Sequence, residues 1–246
     1  MNYDRKANIS QTTCLIQVGR RNAYHQAGHA AAIYLGNQHK QLPAVHFQVT
    51  IKPQERDSGQ SSRTMRLSRQ YAAKVEGGRL IQSLPLSFAE AARCLSQSEQ
   101  EQYRCAFEAD VINLLAGPLT EAKYVALRDD EVFNANLVYL GALKFYGGSA
   151  TLDIITEYME CFVTDRTERK QKLAELFLAA YSFVNKRSSW SAITALAEFI
   201  LDANKDEPKS IISCDDLIAL LESRYVPATG QFSAPKSEFF ATLFEY

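Results

Sequence analysis

The chain has 246 residues, 46% hydrophobic and 22% charged, enough for one large domain with a sizeable core. Its 27 basic and 28 acidic residues give a formal net charge of −1, which argues against a nucleic-acid or membrane-surface binder. No apolar run reaches the roughly 20 residues that span a bilayer, and the polar opening MNYDRKANISQTT lacks the apolar core of a secretory signal. Cys14, Cys94, Cys105, Cys161 and Cys214 are scattered, odd in number and without CxxC spacing. A disulfide framework or four-cysteine zinc site is therefore not expected, and a cytoplasmic location is.

Residues 1–18 give no defined pattern. The alanine-rich stretch RRNAYHQAGHAAAIYL predicts a helix from Arg20 to Leu35, with Gly36-Asn37 as its stop. In residues 44–53, Val45, Phe47, Val49 and Ile51 alternate with polar side chains, and this period of two predicts a half-exposed strand ending at Pro53. Residues 54–70 are polar and read as a loop, with a short return strand around Thr64–Leu67. From Ser87 onward the pattern is helical, at 87–95, 98–127, 130–145, 150–164, 167–186, 188–204 and 213–223. The expected fold is mainly α with one small sheet or hairpin near residues 44–70. It forms a single domain whose metal-site core is 20–165 and whose helical C-terminal part is 166–246.

The histidines, His25, His29, His39 and His46, all lie in one short stretch of the chain. His25 and His29 are four apart on the predicted helix, so both rings project from one face. Two imidazoles at that spacing can hold one Zn²⁺. The zinc-protease motif is HExxH, whose glutamate is the general base on the metal-bound water; here the residues are His25-Gln26-Ala27-Gly28-His29. His39 and His46 read as surface residues, one in a loop and one on the polar side of the strand.

The segment AYHQAGHAAAIYL resembles the AYHEAGHA segment of the FtsH-type zinc-peptidase domain. Val49-Thr50-Ile51-Lys52-Pro53 is similar to the strand that follows it in that family. Leu115-Ala116-Gly117-Pro118-Leu119-Thr120-Glu121 resembles the LAGRAAE segment, with Pro118 in place of arginine, and Ser149-Ala150-Thr151-Leu152-Asp153 resembles GASND. The matches occur in the family's order. The resemblance implies His25, His29 and Asp153 as ligands of one zinc ion, and Glu121 is a candidate acceptor for a ligand histidine N–H. It also implies a polypeptide substrate or partner protein, bound as an added strand at an exposed edge near Val45–Ile51, and a possible homo-oligomer, since the family forms hexameric rings. FtsH proteins carry an ATPase module and a membrane anchor; this chain shows neither a GxxxxGK[ST] loop nor a transmembrane stretch, so it resembles a free-standing peptidase domain.

The departure at Gln26 decides the expected activity. A primary amide can orient a water but cannot take its proton near neutral pH, and general acid–base help is typically worth about 10²–10⁴-fold. Impaired or absent peptide hydrolysis is the expectation. The alternatives are an active zinc endopeptidase using another base, for which Glu157 is the candidate one turn beyond Asp153, and a metal-free interaction or regulatory module.

Overall fold

The structure is a computed structural model, and it describes residues 17–53, 70–136, 138–203 and 210–225. Its elements in chain order are β1 (Gln17–Val18), α1 (Arg20–Ala31), a π-helical turn (Ala32–Gly36), α2 (Asn37–His39), β2 (Phe47–Pro53), β3 (Gln70–Gly77), α3 (Phe88–Ala91), α4 (Gln97–Arg128), a 3-10 stretch (Leu140–Phe145), α5 (Ser149–Phe162), α6 (Arg166–Asn185), α7 (Arg187–Asp202), β4 (Ile211–Ile212) and α8 (Cys214–Arg224). The fold is mainly α with one small sheet, as expected. Among the described residues no helix is long and apolar enough to cross a membrane.

The sheet order is β1-β3-β2-β4. β2 pairs antiparallel with β3 from Phe47 opposite Gly77 to Pro53 opposite Tyr71. On its other side β2 pairs antiparallel with β4, with Val49 opposite Ile212 and Thr50 opposite Ile211. The expected edge strand near Val45–Ile51 is thus corrected in part: the two-residue β4, supplied from far along the chain, covers that edge at Val49 and Thr50. The return strand expected at Thr64–Leu67 falls outside the described residues, and the strand that pairs with β2 is β3. Its alternation of Tyr71, Ala73 and Val75 with Ala72, Lys74 and Glu76 carried the signal, weakened by two alanines.

Gly36-Asn37 does not stop the first helix, which passes through a π turn and ends at His39. Asn37 is buried there, its Oδ1 accepting from Asn113 Nδ2 of α4 at 3.2 Å, so a tertiary hydrogen bond holds the chain past a local stop signal. The helix expected over 130–145 is also corrected. α4 ends at Arg128, Asp130 adopts a φ of +57°, and the N–H of Asn136 donates to Asn134 Oδ1 in a local turn. Short polar side chains that bond their own backbone compete with a helix in this way, and only Leu140–Phe145 winds, as 3-10. The remaining helices fall close to their expected places. α4, α6 and α8 start at side-chain caps, Ser96 with Glu99, Asp165 and Ser213.

Two apolar clusters form the interior. One unites α1, the sheet, α7 and α8, around Phe47, Val49, Ile193, Leu196 and Leu217. The other unites α4, α5, α6 and the chain near Leu80, around Phe107, Leu115, Leu119, Tyr158 and Phe177. The C-terminal helices α7 and α8 thus share a core with the histidine helix. α1 and α4 cross where the two clusters meet. Gly28 permits the approach, because a Cβ there would stand 2.3 Å from Thr120 Oγ1 and 2.7 Å from the Ala116 carbonyl oxygen. Tyr24 of α1 stacks on Tyr124 of α4 at 4.3 Å between ring centres, and the Lys123 ammonium lies 4.4 Å from the Trp190 ring of α7.

Candidate metal centre and its cavity

The α1–α4 crossing places His25 and His29 side by side in the seam. His25 is 6% exposed. Its Nδ1 lies 3.0 Å from Glu121 Oε2 and 3.2 Å from the Tyr146 carbonyl oxygen. His29 Nδ1 lies 2.8 Å from the Asn113 carbonyl oxygen. These partners are a carboxylate and two carbonyls, which accept, so each Nδ1 carries the donated hydrogen. Both Nε2 atoms then face one another, at 3.1 Å.

Burial, reinforced by the neighbouring His25, pushes the His29 pKa down from 6.5 to about 3, against the hydrogen bond to Asn113, so this imidazole is neutral at neutral pH. Its Nε2 presents a lone pair towards His25. Two ring nitrogens in that arrangement can share one hydrogen or one metal ion between them. Zinc–nitrogen bonds of about 2.0–2.1 Å at a tetrahedral angle put the two nitrogens about 3.3 Å apart, close to the distance present. The histidine pair therefore fits a transition-metal ion without rearrangement.

The packing behind the pair fixes both rings. Arg21, one turn before His25, donates from Nε to Glu121 Oε1 at 2.8 Å and from Nη2 to the Phe145 carbonyl at 2.9 Å. Glu121 is buried and so joins Arg21 to His25. Gly117 lies against the other ring: a Cβ there would stand 2.2 Å from His29 Nε2. Gly147, with φ of +67°, closes the far side, where a Cβ would meet Glu121 Oε2 and His25 Nδ1 at 3.1 Å. Positive φ and close approach together require glycine at this position.

Asp153 is not brought to the pair. It is exposed on α5 and is not among the residues that line the cavity beside the histidines, although Ala150, Thr151 and Ile154 of the same helix are. Among the described residues no group of three His, Cys, Asp or Glu side chains is placed to hold a metal ion. The donor pair fits; the three-ligand set expected from the resemblance is not assembled. Glu157 is likewise exposed and outside the lining. His39 and His46 are exposed, as the sequence reading expects, but His39 ends α2 rather than lying in a loop and His46 precedes β2.

Gln26 points elsewhere than a general base would. Its Oε1 accepts the N–H of Val75 in β3 at 2.8 Å. One turn earlier, Asn22 donates to the Ala73 carbonyl at 3.1 Å and accepts the Ala73 N–H at 2.7 Å. Two side-chain amides of α1 thus bond the edge of β3 as a neighbouring strand would. Sequence reasoning missed Asn22, although its i, i+4 spacing to Gln26 was visible; it missed Asn113 because that residue acts through its backbone oxygen.

The cavity has a volume of about 510 Å³. Its walls are His25, Gln26 and His29 of α1, the 72–75 stretch of β3, Asp110 and Asn113 of α4, and the first turns of α5. Comparison of the chain with models of protein families, with characterised proteins and with solved structures found no match in any of the three.

Proposed function

We propose that this chain is a zinc-binding, peptidase-like protein of the FtsH type that does not hydrolyse peptide bonds, and that it acts by binding polypeptide. The observation that carries the zinc reading is the facing of His25 and His29 Nε2 at 3.1 Å, with each Nδ1 hydrogen-bonded to an acceptor behind it. The family reading draws support from the placement of the resembling segments. The histidines and Ala150-Thr151 line one cavity despite their separation in sequence, Gly117 and Glu121 lie against the two histidine rings, and Val49–Pro53 belongs to the strand paired with the β3 wall. A bound zinc ion would supply Lewis-acid polarisation of an oxygen ligand.

The loss of hydrolysis follows from Gln26. Its amide has no proton-accepting capacity near neutral pH, and its oxygen is engaged by Val75. Among the described residues no other carboxylate takes its place: Asp110, the one in the described lining, is buried under three hydrogen-bond donors.

Metal analysis and zinc titration of the purified chain, beside His25→Ala, test the first part; proteolysis of an unfolded protein by the native chain and by Gln26→Glu tests the second. The expected result is zinc binding by the native chain, at least a hundredfold weaker in His25→Ala, and no cleavage by the native chain. A chain that binds no zinc and whose stability ignores added zinc is a metal-free module. Native cleavage as fast as that of Gln26→Glu would overturn the account of Gln26.

A further inference from the structure

Among the described residues, the cavity presents accessible charge of one sign. Lys74 and Arg79 line it and are exposed. Neither forms a close ion pair with a described residue, although the Arg79 charge is felt by the buried Asp110 carboxyl. Arg79 lays its guanidinium 6.0 Å from the centre of the Tyr158 ring. The one carboxylate among the described lining residues, Asp110, is 2% exposed and already accepts the N–H groups of Leu80 and Ile81 and the hydroxyl of Tyr158. Glu76, between the two cations in sequence, is bonded to Lys52 and Gln48 and lies outside the lining. Ile33, Leu114 and Ile154 supply an apolar floor.

The β3 wall limits how a ligand can be recognised. Ala73 N–H and C=O and the Val75 N–H, the groups an added strand would use, are held by Asn22 and Gln26. Backbone pairing along this stretch is occupied, so selectivity falls to side-chain charge and shape. A cavity of this size accepts a few residues of extended chain, and two exposed cations on one rim favour negative charge.

We propose that the cavity binds extended peptide segments bearing acidic side chains, selected through Lys74 and Arg79. The choice of peptide rests on the function proposed above; the choice of acidic side chains rests on the lining alone. The test is fluorescence anisotropy of the full chain with labelled hexapeptides rich in Asp and Glu, with their Asn and Gln counterparts, and with free glutarate, in excess zinc and in chelator. The acidic hexapeptides are expected to bind about tenfold tighter than their amide counterparts at low salt, with the advantage shrinking as salt rises. A Lys74→Glu/Arg79→Glu variant loses about tenfold for the acidic peptides, and Lys74→Gln/Arg79→Gln loses less, with melting curves reporting that both remain folded. Equal binding of acidic and amide peptides, no binding of either, or a preference unchanged in the variants overturns the proposal. Glutarate binding as tightly as the peptides overturns the peptide assignment. A preference for acid that persists in a chain unable to bind zinc refutes the zinc reading alone, and loss of preference in a zinc-binding chain refutes this one alone.

Discussion

The α1–α4 seam and the first turns of α5 carry equally legible motifs and are built very differently. In the seam, His25 and His29 are held from behind by Glu121, Tyr146 and Asn113 and bounded by Gly117 and Gly147. On α5, Asp153 is exposed and makes no side-chain hydrogen bond or ion pair with a described residue. A metal ligand needs more than the right atom on the right helix: hydrogen bonds and packing must fix its rotamer before the ion arrives. The seam provides that and α5 does not.

The strongest test of the seam's rigidity is its buried acid. Burial raises the Asp110 carboxyl from 3.8 to about 6, against the hydrogen bonds from Leu80, Ile81 and Tyr158. The folded state therefore holds this proton more tightly than the unfolded chain does. The stability so contributed is full below pH 3.8 and is lost as pH rises through about 6. At about 1.4 kcal/mol per pH unit the loss is about 3 kcal/mol. Urea unfolding of the native chain and of Asp110→Asn between pH 4 and 7 should show this slope only in the native chain. The variant also carries a pH-independent cost, since an amide oxygen cannot replace both carboxylate acceptors. Parallel profiles would mean that the α4 end of the cavity is open to water.

Gly117→Ala probes the seam directly. The new methyl group has no space beside the His29 ring, and overpacking of this kind costs about 2–3 kcal/mol. The expected fall in melting temperature is roughly 5–10 °C, by calorimetry. An unchanged melting temperature would show α1 and α4 to be loosely packed. The smallest effects separate the two regions. Glu121→Ala should weaken zinc binding about 10–100-fold by releasing the His25 ring, whereas Asp153→Ala should change it less than about twofold. A tenfold loss from Asp153→Ala in zinc titration would return α5 to the ligand set and erase the distinction.

Much of the fold was legible. The helices α4 to α8, the histidine helix and β2 carry strong periodicity or caps and appear near their expected bounds. The errors arise where a specific hydrogen bond outweighs a residue's average preference. Gly36-Asn37 looked like a stop, but Asn37 is bonded to Asn113 across the core. The 130–145 stretch looked helical by composition, but Asp130 and Asn134 direct it into turns. The β2 edge looked open, but β4 covers it at Val49 and Thr50 from far along the chain. In the first and third cases a local preference yielded to a hydrogen bond from far along the chain; in the second, short polar side chains bonded their own backbone and outweighed the helical composition.

The sequence by itself determined the mainly α class, the histidine pair at one-turn spacing and the amide where a base would stand, because these depend on residue type and periodicity alone. Only the tertiary structure decided which of the expected ligands meet, and that Gln26 belongs to the edge of β3 rather than to a proton-transfer path. The physical reason is that imidazole orientation and amide partnership are fixed by residues far away in the chain, Glu121, Asn113 and Val75, whose approach depends on how closely two helices and a strand can pack.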